Sequence, residues 1–266
     1  MHGLGNDFVV VNELQLEAVA EKDKASFAKK FCKRHFGIGA DGVLFLCKAA
    51  LEKADFRMRI FNADGSEAET CVNGLRCVAF EKFLIDGRKK PFYRIETALG
   101  VAQAKVFPGK ENNAKVELLL LGRKEFGKSK KITINGKGFE YYPVDVGNPH
   151  AVVFLKEPVG SFPVEEIGHA FEFHKAFRPH RTNTEFVNVV SPVKVKMRVH
   201  ERGACETMAC GSGSIAIVIA GVNAGFLHKG KWVSVEQPGG TLEIMAGKEV
   251  FLRGPAQKVF QGKIDW

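Results

Sequence analysis

Two cysteines, Cys71 and Cys210, occupy the same position in a short motif that occurs twice in the chain. A glutamate lies four residues before each cysteine and a glycine three residues after it, and a run of apolar and small residues follows. Such a run predicts a buried helix that begins just after the cysteine. The unpaired N–H groups and partial positive charge of a helix N-terminus stabilise a thiolate and lower the thiol pKa towards or below ~7. We therefore expect both thiols to accept and donate protons near neutral pH.

If both thiols serve one carbon atom, their chemistry inverts a stereocentre. One thiolate removes a proton from one face and the other thiol returns a proton to the opposite face, which needs no cofactor. An α-amino acid suits such a site because its carboxylate can bind helix N–H groups. Small residues after Cys210, Gly211 and Ser212, let a ligand approach the backbone closely. The other interpretation, a small buried hydrophobic residue, is the one that we expect for Cys32, Cys47 and Cys77.

A second repeated motif indicates that the chain has two similar halves. Gly5-Asn6 and the apolar run after it recur as Gly147-Asn148, 142 residues later, while the cysteine motifs lie 139 residues apart. Two motifs in the same order with nearly the same offset predict a duplicated unit. Gly, Lys and Asn cluster over 108–145. We place the domains at 1–125 and 126–266, with a C-terminal strand or tail that crosses over to the first half.

Most of the chain consists of short runs of β-branched and aromatic residues separated by turn residues, which predicts strands. Four other stretches predict helices. Asn73–Ile85 and Ser212–Asn223 are mainly apolar or small on more than one face, so we expect them to be buried. Lys24–Arg34 and Val164–Phe177 are amphipathic, so we expect them at the surface. The sequence therefore predicts an α+β fold in which strands surround two central helices.

Composition excludes several other classes of protein. The 266 residues are 45% hydrophobic and 26% charged, which is typical of a folded domain rather than a disordered chain. The longest strongly apolar run, Ile215–Ala220, is far shorter than the ~20 residues of a membrane-spanning helix. Six cysteines without a C-x-x-C pair are too few for a disulfide scaffold and lack the spacing of a zinc ribbon. Because no secretory signal follows Met1, we expect a reducing, cytoplasmic location.

The net charge of +9 is compatible with a protein that binds nucleic acid. Lys and Arg are spread along the chain, however, so we expect a solvated basic surface, with neither nucleic acid nor a membrane as partner. Gly37–Gly42 fits the G-x-G-x-x-G pattern, but a dinucleotide site needs a strand before it and a helix after it. Here a helix-like stretch precedes and the strand-like Val43–Leu46 follows, so we expect a turn.

The motifs resemble those of the diaminopimelate epimerases over nearly the whole chain. The matching segments are His2–Phe8, Phe36–Gly42, Phe61–Glu67, Gly147–His150, Thr182-Asn183, Glu201–Ala204 and Glu206–Gly213. The resemblance implies two like domains, each a barrel-like sheet around a central helix, with the active site in the cleft between them. It also implies that a homodimer interconverts L,L- and meso-2,6-diaminopimelate for lysine and peptidoglycan precursor synthesis. The catalytic residues would be Cys71 and Cys210, acting without pyridoxal phosphate or metal.

The resemblance also assigns the residues around the two cysteines. His150 and Glu201 would tune the cysteine pair. The backbone N–H groups that would bind the reacting carboxylate belong to Val72, Asn73, Gly211 and Ser212. The residues that would hold the far end of the substrate are Asn6, Asn62, Asn148, Asn183, Glu201 and Arg202. A guanidinium can fork onto a carboxylate, and a glutamate can accept from an ammonium. Each asparagine could instead be a turn residue, and Arg202 with Glu201 a surface ion pair.

Two departures from the family pattern leave alternatives open. Val72 stands where Gly is usual, and its β-branched side chain restricts ligand approach, while Cys205 also replaces a usual Gly. A cofactor-independent racemase of lysine, histidine or glutamate is therefore an alternative, although the Asn, Glu and Arg set argues against it. A non-enzymatic nucleic-acid-binding protein is a third hypothesis, motivated by the charge. Phenazine-pathway isomerases lack the paired cysteines, and the surrounding motifs do not match proline racemase.

Overall fold

The computed structural model describes residues 1–120 and 124–266 and divides into two compact units. Unit 1 comprises Met1–Leu121 and Arg253–Trp266, and unit 2 comprises Gly122–Leu252. The chain thus returns to unit 1 at its C-terminal end. No helix in the described ranges is long and apolar enough to cross a membrane.

Unit 1 contains two α-helices and eight strands among its described residues. The helices are α1, Lys24–Phe31, and α2, Val72–Ile85, and a short 3-10 helix spans Glu21–Asp23. The strands are β1 His2–Gly3, β2 Asn6–Glu13, β3 Gly42–Cys47, β4 Phe56–Asn62, β5 Glu67–Ala68, β6 Phe92–Thr97, β7 Gly100–Pro108 and β8 Asn113–Leu119. β2 is parallel to β3, and β3 is antiparallel to β4. β4 is antiparallel to β5 and parallel to β6. β6 is antiparallel to β7, and β7 is antiparallel to β8.

Unit 2 also contains two α-helices, with nine strands among its described residues. Its helices are α3, Val164–Glu172, and α4, Gly211–Asn223, with 3-10 helices at Val159–Ser161 and Lys175–Phe177. Its strands are β9 Glu125–Phe126, β10 Lys130–Ile134, β11 Lys137–Asp145, β12 Pro149–Phe154, β13 Asn183–Ser191, β14 Lys194–Glu201, β15 Cys205–Thr207, β16 Trp232–Gln237 and β17 Gly240–Ala246. The last strand, β18 Val250–Gln257, begins in unit 2 and ends in unit 1, where Gln257 pairs with His2 of β1.

Both units follow one pattern of strand pairing, which confirms the predicted duplication. β12 is parallel to β13 as β2 is to β3, and β13, β14 and β15 are antiparallel neighbours like β3, β4 and β5. After the buried helix, β16 returns parallel to β14 as β6 returns parallel to β4. A parallel return needs a crossover connection, which α2 and α4 supply. The predicted α+β class, with two similar β-rich domains around central helices, is confirmed.

The central helices α2 and α4 are largely buried because apolar or small residues cover more than one face of each. Phe80 in α2 and Ile217 in α4 expose none of their surface. Each helix begins one residue earlier than predicted, at Val72 and Gly211. The cause is that the preceding cysteine caps the first turn, so the helix begins directly after it.

The two amphipathic helices lie at the surface of their units but are shorter than predicted. α1 packs Phe27 and Phe31 into the core and ends before the left-handed residue His35, whose φ is 73°. α3 ends at Glu172 because His174 is extended (φ −63°, ψ 142°). The His174 ring accepts a hydrogen bond from the Ala176 N–H and thereby starts a separate 3-10 turn.

Candidate active site

Cys71 is the N-cap of α2. Its backbone is extended (φ −146°, ψ 118°), and its Sγ accepts a hydrogen bond from the Gly74 N–H at 3.3 Å. This contact satisfies one N–H group that the first turn of a helix cannot pair internally. Val72 and Asn73 take the first two helical positions, where N–H groups also lack an intrahelical partner. A carboxylate at this helix start can accept hydrogen bonds from them.

Two asparagine side chains lie beside the half-buried Cys71 thiol. Asn6 Oδ1 is 3.9 Å from Cys71 Sγ and accepts a hydrogen bond from Asn73 Nδ2 at 3.1 Å. Asn6 begins β2 directly after Gly5, whose φ of 87° makes the turn that brings it here. Asn73 is buried, and its Oδ1 has no hydrogen-bond partner in the described part of the chain. Unit 1 therefore gathers four of the predicted site residues at one helix start: Asn6, Cys71, Val72 and Asn73.

Cys210 caps α4 with the same geometry. Its backbone is extended (φ −118°, ψ 114°), and its Sγ accepts from the Gly213 N–H at 3.3 Å. Ser212 Oγ lies 3.4 Å from the same sulfur, and the Cys210 N–H donates to Gln237 Oε1 at 3.0 Å. Gly211 and Ser212 take the first helical positions, like Val72 and Asn73 in α2. Both units thus place a thiol at the start of a buried helix.

Glu201, the last residue of β14, lies against the Cys210 thiol. The thiol donates a hydrogen bond to Glu201 Oε2 at 3.3 Å, and the Thr207 hydroxyl donates to Oε1. The antiparallel pairing of β14 with β15 brings Glu201 and Thr207 to adjacent strands. Burial raises the pKa of Glu201, and the hydrogen bonds from Thr207 and Cys210 offset part of that effect. The carboxylate acts here as an acceptor that keeps the proton on sulfur.

The pKa of Cys210 is raised well above its usual value, so the predicted lowering is wrong for this thiol. Burial is the largest cause, and the charges of Glu201 and Glu185 raise the pKa further. Hydrogen bonds from Ser212 and Gly213 lower it only in part. The helix N-terminus is therefore outweighed by desolvation and two carboxylates. The environment of Cys210 therefore favours the protonated thiol over the thiolate.

His150 and Glu185 form a buried pair in unit 2. His150 Nδ1 lies 2.6 Å from Glu185 Oε1, and neither side chain exposes any surface. The other ring nitrogen, Nε2, lies 3.1 Å from Asn148 Oδ1. Parallel pairing of β12 with β13 sets His150 opposite Asn183, two residues before Glu185. Because a carboxylate accepts hydrogen bonds, Glu185 fixes Nδ1 of His150 as a donor.

Asn183 and Arg202 are joined through the backbone. Asn183 Oδ1 accepts from the Arg202 N–H at 3.0 Å, and its Nδ2 donates to Pro149 O at 2.9 Å. The Arg202 side chain is exposed and donates to His180 O at 2.6 Å. Within the described ranges no ion pair joins Arg202 to Glu201, whose carboxylate faces Cys210 instead. The surface ion-pair interpretation of these two residues is therefore wrong.

Asn62, at the end of β4, belongs to a tight turn. The Gly65 N–H donates to Asn62 O at 2.9 Å, and Asn62 Nδ2 donates to Ser66 Oγ at 3.0 Å. Asp64 Oδ1 accepts from the Ser66 N–H at 2.8 Å and completes the turn. Asn62 thus has the turn role that its residue type permits. Its part in substrate binding stays a prediction.

Glu185 and Gln237 are buried polar residues beside Cys210 that the sequence motifs do not reveal. Glu185 Oε2 and Gln237 Nε2 have no hydrogen-bond partner among the described residues. One signal could have found Glu185, because a glutamate inside the apolar run of β13 is almost never fully buried without a specific partner. Gln237, at the end of β16, has no comparable signal in the sequence.

A separate group in unit 2, His169, Glu172 and His200, has the chemistry of metal ligands, with ligand atoms within 4.8 Å of one another. Glu172 already accepts hydrogen bonds from Arg181 Nη1 at 2.8 Å, the Gly203 N–H at 3.1 Å and His200 Nε2 at 2.9 Å. Arg181 also balances the charge of the carboxylate. Because a metal would have to displace these donors, we interpret the group as an ion-pair network that fixes the loop after β14.

The comparison with known proteins decides the family. A model of the diaminopimelate epimerase family matches residues 1–119 and 142–259. The diaminopimelate epimerase of Carboxydothermus hydrogenoformans is 42% identical over 278 residues, which cover 99% of this chain and 97% of that protein. The chain belongs to the diaminopimelate epimerase family. It is therefore an isomerase, as the family is. The diaminopimelate epimerase of Methanococcus maripaludis is similar as well, at 39% identity over 285 residues that cover 100% of this chain and 98% of that protein.

Solved structures show how widely the fold of diaminopimelate epimerases is shared. A hydroxyproline epimerase from Agrobacterium vitis has a TM-score of 0.70 at 15% identity, covering 97% of this chain and 89% of that one. A phenazine biosynthesis protein from Bacillus anthracis has a TM-score of 0.70 at 16% identity, covering 99% and 95%. At these identities the likeness concerns the fold alone.

Proposed function

We propose that the chain interconverts L,L- and meso-2,6-diaminopimelate, a step in lysine and peptidoglycan precursor synthesis. One observation carries the proposal. A chain that is 42% identical to a diaminopimelate epimerase over 99% of its length caps two matching buried helices with cysteine. The substrate offers a carboxylate for helix N–H groups and a weakly acidic α-hydrogen for the two sulfurs.

In the proposed mechanism the two thiols exchange protons with the α-carbon. The thiolate of one cysteine takes the α-proton, so that an S–H bond forms as the Cα–H bond breaks and the electron pair moves into the carboxylate. The other thiol gives its proton to the opposite face of the carbon and becomes the thiolate. Helix N–H groups stabilise the added negative charge on the carboxylate. Because the cysteines supply both base and acid, the reaction uses no cofactor.

The environment of Cys210 supports a starting role for that sulfur. The raised pKa of Cys210 and its hydrogen bond to Glu201 make Cys210 the acid of the first turnover. Cys71 then acts as the base in that direction, and its sulfur accepts from the Gly74 N–H as Cys210 accepts from Gly213. The roles exchange after each turnover. In the proposal His150, held by Glu185, tunes the pair.

The far end of the substrate needs partners for a second carboxylate and ammonium. Arg202 is exposed and offers a planar guanidinium for a carboxylate. The proposed amide partners are Asn6, Asn62, Asn148 and Asn183. We include a cytoplasmic homodimer in the proposal, and sedimentation equilibrium tests the dimer.

Alanine variants of the two cysteines test the mechanism. Cys71→Ala and Cys210→Ala should each lose about 10²–10⁴-fold in epimerisation rate, the usual contribution of a positioned acid or base. Cys205→Ala removes an exposed thiol only five residues from Cys210 and should keep full activity. Full activity in either of the first two variants would refute the two-base mechanism.

A substrate panel tests the specificity. Exchange of the α-hydrogen with deuterated water is measured for diaminopimelate, lysine, histidine and glutamate. We expect exchange with diaminopimelate alone. Faster exchange with lysine, histidine or glutamate would replace the proposed substrate but keep the mechanism.

A further inference from the structure

A charged cluster in unit 1 lies beside Asn6 and has no part in the reaction described above. Arg34 donates to Asp7 at 2.8 and 3.2 Å and to Asp41 Oδ1 at 3.0 Å. The Asp41 N–H donates to Asp7 Oδ1 at 3.1 Å. Asp41 belongs to the glycine-rich stretch Gly37–Gly42, which precedes β3 rather than a helix and so is no dinucleotide site. We therefore ask what the contacts of Asp41 in this stretch do instead.

The contact between Asp41 and Asn6 fixes the orientation of the Asn6 side-chain amide, which could otherwise flip. Asp41 Oδ2 accepts a hydrogen bond from Asn6 Nδ2 at 2.8 Å. A carboxylate oxygen only accepts, so the amide nitrogen must face Asp41 and the amide oxygen must face away. On that other side the oxygen accepts from Asn73 Nδ2 at 3.1 Å and lies 3.9 Å from Cys71 Sγ.

The contact with Asp41 selects this orientation, and the contact with Asn73 does not. Asn73 Oδ1 is buried and has no hydrogen-bond partner in the described residues of the chain. If both amides flipped, Asn6 Nδ2 would donate to that oxygen, but the Asn73 amide nitrogen would then be unpaired in its place. The charge-assisted bond from Asn6 to Asp41, with Arg34 holding Asp41, therefore decides between the two orientations.

We propose that Asp41 is a positioning residue that holds the Asn6 amide with its oxygen towards Cys71 and Asn73. The inference rests on the proposed function, in which Cys71 is an acid–base residue and Asn6 contacts substrate. An oxygen beside Sγ favours the S–H form by accepting its hydrogen bond, whereas an N–H there favours the thiolate. Asp41 thereby sets the proton affinity of Cys71 and presents an acceptor to the ammonium of a substrate.

Asp41→Asn is the most informative change because it keeps the shape and replaces an acceptor by a donor. Two donors compete for the oxygen of the new amide: Arg34, at 3.0 Å from Asp41 Oδ1, and the neutral Asp7 N–H, at 3.2 Å from Asp41 Oδ2. The charged guanidinium is the stronger donor and holds the oxygen on its own side, so an NH₂ group faces Asn6 and flips its amide. The readout is the pH dependence of Cys71 alkylation by iodoacetamide, with the site located by mass spectrometry. We expect alkylation at pH 7 to rise about five- to ten-fold, the effect of one hydrogen bond exchanged at sulfur. The ratio kcat/KM for diaminopimelate should fall by about ten-fold, because the flipped Asn6 amide no longer presents an acceptor to the substrate ammonium.

Loss of the Asp41 charge would itself favour the thiolate, so three controls isolate the amide. Asp41→Ala removes the same charge without a donor opposite Asn6 and should shift the alkylation profile less than Asp41→Asn. In an Asn6→Ala background, Asp41→Asn should shift the pH profile of Cys71 alkylation no more than Asp41→Ala does. Asp55→Asn breaks a contact to Lys90 of 2.6 Å elsewhere in unit 1 and should leave the profile unchanged. Arg76 and Cys77, whose charges interact with Cys71, stay the same in every variant.

The outcomes separate this inference from the proposed function. Equal shifts in Asp41→Asn and Asp41→Ala, or a larger shift in Asp41→Asn that persists without Asn6, would overturn the positioning role of Asp41. Thermal melting shows that each variant is folded, which the surface position of Asp41, 45% exposed, favours. Alkylation needs no substrate, so a wild-type protein inactive on diaminopimelate would overturn the proposed function while leaving the Asp41 result intact.

Discussion

Gly213→Ala perturbs the contact between α4 and Glu185, where the packing of unit 2 leaves no room. A Cβ atom at Gly213 would lie 2.7 Å from Glu185 Oε1, 3.2 Å from Glu185 Cγ and 3.3 Å from Cys210 Sγ. Glu185 cannot retreat freely, because its side chain is fully buried and held at 2.6 Å by His150. The added methyl must therefore displace either the carboxylate or the helix start.

The expected loss of stability follows from three effects. Overpacking a filled core costs about 1–3 kcal/mol. A disturbed hydrogen bond to a charged group costs about 1.5–3 kcal/mol. Against these, alanine is about 1 kcal/mol better than glycine inside a helix. The balance is a destabilisation of about 3 kcal/mol, which lowers the Tm by about 6–12 °C for a chain of this size.

Calorimetry measures the effect, and the matching glycine of unit 1 supplies the control. A Cβ atom at Gly74 would lie 2.9 Å from Leu44 Cδ2 and 3.4 Å from Cys71 Cβ, where no buried hydrogen bond is at stake. The helix gain offsets much of that contact, so Gly74→Ala should change the Tm by no more than about 4 °C. Equal Tm values for the two variants, or a Gly213→Ala protein that melts with the wild type, would show that Glu185 is not held as argued.

Two further predictions concern buried charge and buried thiols. Lys24 and Glu13 form an ion pair of 2.7 Å with side chains 2% and 4% exposed. Lys24→Met leaves the Glu13 carboxylate buried without its counter-ion, although the Ala18 and Val19 N–H groups still donate to it. Urea unfolding should therefore show a loss of about 3 kcal/mol, and an undiminished midpoint would contradict this. Burial raises the pKa of Cys32 and Cys47 to about 11 and that of Cys77 to about 12. The unfolded thiols ionise near pH 8.5, so their stabilising contribution is complete below about pH 8.5 and declines as pH rises towards 11. A Tm that stays constant from pH 7.5 to 10.5 would contradict this linkage.

The features that repeat locally could be predicted from sequence. Cys71 and Cys210 stand in matching motifs, and the apolar or small residues after them cover more than one helix face, which predicts the burial of both helices and their starts to within one residue. The order of strands and helices followed from the same duplication. Helix ends were less predictable, because the left-handed backbone of His35 and the cap of His174 depend on single residues.

The chemistry of the Cys210 site depends on contacts between distant parts of the chain. Glu201 is nine residues from Cys210 in sequence, but Gln237 is 27 residues away, and Glu185 reaches the helix start from another strand. The sign of the pKa shift follows from these neighbours and from burial, neither of which a local motif shows. The helix N-terminus alone predicts a lowered pKa for Cys210, which is the wrong direction.

The sulfurs of Cys71 and Cys210 each cap the first turn of their own helix, with an N–H to Sγ distance of 3.3 Å in both units. Serine, threonine, asparagine and aspartate are the residues that do this best, and cysteine is not among them. Serine in place of either cysteine would cap the helix at least as well, so the stability of the helix would be kept or increased. The hydroxyl is a much weaker acid than the thiol, however, so the proposed proton transfer would be lost. Selection for a sturdier protein would therefore push both positions away from cysteine. A duplicate gene released from the reaction should acquire serine at these two sites early in its divergence.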